Sequence, residues 1–231
     1  MNALRATLRG VGEVLITLGV VVLLFCVYQL VWTNVSAQAI ESGARTELEE
    51  QWAGPNLTPS PGSSEQGSLP AVDVAPGDAF AIMYIPALGS GWAKAVVEGV
   101  ALEDLRGTVG HYPKSQLPGE VGNFAVAGHR ATNGEPFRDL PVVKAGDLVY
   151  VQTRESWFVY TVQSTEIVQP TEVEVVLPVP RQPGVDPTEK LITLTTCNPR
   201  WASYERWITY GVLTDTRPAS EGPPPELLVK G

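Results

Sequence analysis

Val14 to Trp32 is a run of nineteen residues without a charge, interrupted only by Thr17, Gly19, Tyr28 and Gln29. At about 1.5 Å rise per residue it just spans a hydrocarbon core of about 30 Å, which makes it a membrane helix or a signal sequence. Arg5 and Arg9 precede it, whereas Glu41, Glu47, Glu49 and Glu50 follow with only Arg45 opposing them. Positive-inside bias then leaves residues 1–13 in the cytoplasm and the rest of the chain outside. Val35-Ser-Ala37 is a weak small-residue cleavage site, but the apolar run is longer than a usual signal-peptide core, so an uncleaved anchor over 14–32 is expected.

Beyond the span the composition changes. Residues 33–76 hold a short Glu-rich patch that favours a helix and then a Pro-, Gly- and Ser-rich stretch from Gly54 to Pro70, with too few apolar residues for a core. They are expected to form a flexible stalk. Residues 77–217 are enough for one domain with its own core, and residues 218–231, rich in proline, read as a disordered tail.

Within 77–217 the apolar runs are short, rich in Val, Ile, Thr and aromatics, and separated by Gly, Pro or charged turns. Strands are expected at Phe80–Ile85, Trp92–Glu98, Asn123–Gly128, Leu148–Gln152, Phe158–Gln163, Val173–Leu177, Leu191–Thr196 and Trp207–Leu213. Short helices are plausible only at Leu102–Arg106 and around Pro136–Leu140. The fold class is all-β, and a closed barrel is the natural architecture because closure removes exposed edges.

Cys197 ends one of these runs and Arg206 begins the next, with Asn198 to Glu205 between them as a loop. If the two strands pair antiparallel, about 4.8 Å apart, a thiol and a guanidinium share one cleft. Alternation puts Leu191, Thr193, Thr195 and Cys197 on one face and Ile192, Leu194 and Thr196 on the other. Thiolate attack on a carbonyl creates an oxyanion that a fixed cation stabilises, and the nucleophile needs a proton partner. The chain has two histidines, and His129 closes the strand-like run Asn123-Phe-Ala-Val-Ala-Gly-His129. Each of the three also has an ordinary reading: a packed thiol, a hydrogen-bonded structural imidazole, a surface cation. Cys26 falls inside the apolar run, so Cys197 has no disulfide partner in the exported part, which favours use of its thiol.

Thr193-Leu-Thr-Thr-Cys197 followed by Arg206, with Ala127-Gly-His129-Arg130 upstream, resembles the sortases. Gly110-His-Tyr-Pro113, Leu117-Pro-Gly and Gly122-Asn resemble the class E branch of high-GC Gram-positive bacteria, and the likeness covers about Ala79 to Thr214. It implies an eight-stranded barrel with one or two short helices after a single N-terminal transmembrane helix. It also implies a cysteine transpeptidase with Cys197, His129 and Arg206 as its catalytic residues. That enzyme would cut the Thr-Gly bond of a Leu-Ala-x-Thr-Gly signal in preference to Leu-Pro-x-Thr-Gly and pass the protein to a cell-wall precursor amine. Tyr112 either reads the second signal position or packs as an aromatic over the barrel, and Thr196 either touches substrate or fills the strand. His111 reads as structural.

No glycine-rich phosphate loop, Cys-x-x-Cys or His-x-x-x-His spacing is present, and no Asp-rich loop resembles an EF-hand, so no cofactor is expected and calcium is not needed. With 16 Lys and Arg against 25 Asp and Glu, the chain is too acidic for nucleic acid. Its expected partners are signal-bearing secreted proteins, a peptidoglycan precursor amine and the bilayer. Two rivals stand beside this reading. One is an L,D-transpeptidase, whose nucleophile sits in Ser-x-Gly-Cys rather than Thr-Thr-Cys. The other is a catalytically silent, membrane-anchored binding module.

Overall fold

The computed structural model of the chain describes residues 2–53 and 74–228. The larger part of the expected stalk, 54–73, and the last three residues of the expected tail lie outside the described residues.

Helix α1 runs from Asn2 to Ala53 without a break. The apolar side chains from Val14 to Tyr28 are exposed, and the helix is long and apolar enough to cross a membrane. The expectation of a flexible stalk from residue 33 is corrected by the structure: 33–53 continues the same helix and packs on the domain. Ala37, Glu41 and Leu48 are buried, and Lys94 Nζ lies 3.7 Å from Glu41 Oε2. Offsets of four and seven residues put these three on one helix face. A stripe this narrow leaves the average composition polar, which is why composition alone suggested a stalk.

The remaining domain is a closed barrel. Its strands are β1 (Ala79–Tyr84), β2 (Ala93–Glu98), β3 (Val109–His111), β4 (Gly122–Ala127), β5 (Leu148–Gln152), β6 (Ser156–Val168), β7 (Lys190–Asn198) and β8 (Glu205–Pro218). Their order around the barrel is β1-β2-β3-β4-β7-β8-β6-β5, and β5 pairs back to β1. Two neighbouring pairs are parallel, β2 with β3 and β4 with β7; the others are antiparallel. Alternate side chains fill the interior: Met83, Val96, Phe124, Val126, Val149, Val151, Phe158, Tyr160, Ile192 and Leu194 form one cluster. Fully burying a side chain such as Phe124 or Leu194 stabilises by about 1.5–3 kcal/mol each.

The structure departs from the sequence expectations at four places. Val173–Leu177 is not a strand: Val173–Val176 is a 3-10 turn. Its Val175 packs outside the barrel on Val168 and Ile208, so these valines cover a neighbouring surface instead of pairing. β3 was not expected, because three residues bounded by Gly107 and containing Gly110 carry almost no strand signal. Leu102–Arg106 and Pro136–Leu140 are turns, with a 3-10 turn at Leu140–Val142. The expected tail is folded through Leu228: β8 extends to Pro218, a one-turn helix α2 covers Pro225–Leu228, and Ala219 and Leu227 pack on Tyr150, Trp157 and Val159.

Candidate active site

β7 and β8 are in antiparallel register from Leu191↔Val212 to Asn198↔Glu205, and within that ladder Cys197 stands directly opposite Arg206. On the other side of β7, the parallel β4 pairs Ala127 with Thr195. Gly128 N then donates to Thr195 O at 3.1 Å, so pairing continues to within one residue of His129. Thiol, imidazole and guanidinium are thus carried at one end of three adjacent strands, spaced by about 4.8 Å each.

The pleat decides which way they point. Ile192 and Leu194 are interior, as are Phe124 and Val126, so Cys197 and Arg206 fall on the outer face of the wall. Below Cys197 on that face lie Thr195 and Thr193. Tyr112 Oη is 3.1 Å from Thr195 Oγ1, and Thr193 Oγ1 donates to Asn123 Oδ1 at 2.9 Å. Asn123 Nδ2 donates to Leu177 O, tying the β6–β7 connection to the same floor. Arg181 fixes that connection further by pairing with Glu166 at 2.9 Å and Glu172 at 2.7 Å. These contacts hold Tyr112 and the β6–β7 connection against the strand face that carries the thiol.

Cys197 is half-buried and has no disulfide. His129 is half-buried too, and loss of hydration lowers its pKa from the ordinary 6.5, favouring the neutral imidazole. Asn133 Nδ2 lies 3.4 Å from its Nε2, and Phe137 N donates to its carbonyl. Arg206 spends one nitrogen, Nη1, on Ser203 O at 2.7 Å and Glu205 O at 2.9 Å; its other donors have no hydrogen bond within the described residues.

Two sequence-selected residues lie elsewhere. Thr196 is on the interior side, nearly fully buried, and its hydroxyl donates to Gly128 O at 2.7 Å. Its hydroxyl holds the residue before His129, so of its two expected roles the structure shows the one within the strand. His111 is buried in the core, with Nδ1 2.6 Å from Glu98 Oε2 and Nε2 2.9 Å from Ser115 Oγ.

Arg130 is the residue that sequence reasoning passed over. Its Nη1 donates to Asn198 Oδ1 at 2.6 Å and to Cys197 O at 3.2 Å, so it braces the backbone on which the thiol is mounted. Burial and the neighbouring Arg200 lower its pKa, opposed by Asp139 and Cys197. Simple alternation would send Arg130 away from His129's face; the turn after β4 brings it back across to β7. Its place beside His129 was the only available signal.

Residues 83–214 match the sortase domain family. Sortase SrtE1 of Streptomyces coelicolor is 40% identical over 228 residues, covering 95% of this chain but 61% of the relative, so the chain spans about three fifths of that protein. Sortase SrtE2 of the same organism is 34% identical across 94% of this chain and 86% of its own length. The solved structure of sortase E from Streptomyces avermitilis superposes with a TM-score of 0.61 at 42% identity, covering 66% of this chain and 99% of that one.

Proposed function

The chain belongs to the sortase family of cysteine transpeptidases and is most like class E; from that premise we propose that it is a membrane-anchored enzyme joining secreted proteins to the cell wall. α1 holds the barrel on the outer surface of the membrane, with the N-terminus inside, as the Arg5/Arg9 asymmetry favours.

The observation that carries the reading is the register of Cys197 against Arg206, with His129 at the end of the adjoining strand. In this mechanism Cys197 passes its thiol proton to the His129 imidazole as its sulfur attacks the threonine carbonyl of a Leu-Ala-x-Thr-Gly-like signal, forming the C–S bond. The free edge of the Arg206 guanidinium stabilises the resulting oxyanion. The C–N bond breaks as His129 protonates the departing glycine amine, leaving a thioester. A cell-wall precursor amine then attacks that carbonyl and gives its proton to His129. The C–S bond breaks and the thiol is restored. Thiol, imidazole and guanidinium supply all the chemistry, with no metal or nucleotide cofactor. Release by amine outruns hydrolysis when the amine is held in line with the thioester.

Tyr112 reads the second signal position in this proposal. Its hydroxyl rests on Thr195, one pleat from the nucleophile, which supports a place beside the scissile end of the peptide. Replacing Tyr112 by Phe and by Ala should change the preference between Leu-Ala-Asn-Thr-Gly and Leu-Pro-Asn-Thr-Gly peptides; an unchanged preference removes the assignment. The reaction itself is tested by intact mass after incubation with either peptide, with and without an amine, beside Cys197→Ala. An acyl adduct absent from the variant and discharged by amine supports the transpeptidase, whereas a folded protein that forms none with either peptide fits a binding module.

A further inference from the structure

Helix α1 meets the barrel where the loop behind His129 turns. Ala37 is almost completely buried there, against two glycines from different loops. A Cβ on Gly107, in the β2–β3 loop, would stand 2.1 Å from the Ala37 carbonyl oxygen, and one on Gly134, in the loop after β4, would stand 3.1 Å from Ala37 Cβ and 3.0 Å from Gly107 Cα. Both glycines have left-handed φ, +81° and +80°. Three chain segments therefore meet at one point, where a side chain on Gly107 would collide with the Ala37 carbonyl.

Two hydrogen bonds fasten the contact. Asn34 Oδ1, one turn before Ala37 on the same face of α1, accepts from Gly134 N at 3.1 Å. Gly107 N donates to Asn133 O at 2.9 Å. Together they fix the peptide between Asn133 and Gly134 from both sides. Asn133, itself left-handed at φ 52°, directs its side-chain amide to within 3.4 Å of His129 Nε2. Glu135, two residues beyond Asn133, pairs with Arg200 at 2.8 Å, so the far side of the loop is tied to the β7–β8 connection.

We propose that Asn34 and Ala37 are positioning residues, through which α1 orients the His129 imidazole by clamping the Asn133–Gly134 peptide. Asn34 lies two residues beyond the end of the apolar run at Trp32. The segment that leaves the membrane is thus part of the catalytic architecture, and a domain begun at Gly77 lacks it. This inference rests on His129 being the proton-transfer group of the proposed function.

The test uses the full chain in detergent micelles, with a Leu-Ala-Asn-Thr-Gly peptide and an amine. Asn34→Ala removes the acceptor while placing the strongest helix former in α1, so the helix itself does not suffer. Misplacing a catalytic group lowers the rate without removing peptide contacts, so kcat should fall about five- to tenfold with KM within about twofold. The His129 imidazole nitrogen shifts should move, because Asn133 no longer biases Nε2. Asn34→Asp keeps an acceptor oxygen and should restore the rate, and Ala37→Leu, which wedges the contact open, should reproduce the loss. An Asn34→Ala protein with unchanged kcat and unchanged imidazole shifts overturns the proposal. If His129→Ala retains turnover, the catalytic reading of His129 falls instead, and the imidazole shifts alone decide the clamp.

Discussion

Replacing Arg206 by Gln separates a catalytic cation from a structural one. In the structure its Nη1 makes two hydrogen bonds, to Ser203 O and Glu205 O, at a half-exposed strand end. Water can take over both carbonyls, so the stability loss should be about 1 kcal/mol, near the net worth of one ordinary hydrogen bond. For a domain of this size that lowers Tm by about 2–4 °C. The remaining donors make no hydrogen bond among the described residues, and Arg206 stands opposite Cys197 in the ladder, where the proposed mechanism forms the oxyanion. Deleting one preorganised donor to an oxyanion costs about 2.7–4 kcal/mol of transition-state stabilisation, or about 10²–10³ in kcat. The ground-state carbonyl does not need that charge, so KM should stay within about threefold. Arg206→Lys keeps a charge but loses the planar fork, and its kcat should lie between the two. Steady-state transpeptidation with a fluorogenic signal peptide, beside a thermal melt of each variant, measures all three quantities. A fall of less than about tenfold in kcat, in a protein that still melts cooperatively near the parent Tm, would refute the assignment of Arg206 to the oxyanion.

Three other outcomes follow from particular contacts. Burial lowers the His129 pKa, so its NMR titration in Cys197→Ala should have a midpoint below 6.5. Because the folded state excludes that proton, stability should decline as pH falls below about 6.5 toward the folded value; a midpoint at or above 6.5 contradicts this. Hydrogen bonds from Arg181 hold the Glu166 and Glu172 carboxyls below the ordinary carboxylate range. The tether on the β6–β7 connection should therefore survive mild acid and be lost only as pH drops through those lowered values, whereas Arg181→Met should raise hydrogen exchange at 172–181 already at neutral pH. Tyr160 is buried, and its hydroxyl accepts from Gly119 N at 2.8 Å. Tyr160→Phe strands that N–H and should cost about 1–3 kcal/mol in a denaturant melt without changing the m-value.

The barrel's strands were legible wherever enough β-branched and aromatic residues ran together, as at Leu191–Thr196 and Trp207–Leu213, because strand propensity and alternation are local. β3 was not, since its residues are held by neighbours on both sides and not by their own preferences. The valines at 173–176 show the converse: strong local propensity overruled by the need to cover Val168 and Ile208. Alternation also separated Thr196 from the face of Cys197, and the structure assigns its hydroxyl to the Gly128 carbonyl.

From residue order alone came the apolar run of a spanning helix, the all-β class, and the thiol and guanidinium placed at facing strand ends by the length of one connection. These are matters of periodicity and spacing along a single chain, and backbone geometry translates them directly. Only the tertiary structure decided that Arg130 turns back to brace Cys197, that 33–53 lies on the barrel, and that Asn34 reaches the loop behind His129. Those contacts join residues 67 and 100 positions apart. No local pattern encodes them, because a pair so far apart meets only after the barrel has closed and fixed which surfaces are left to pack.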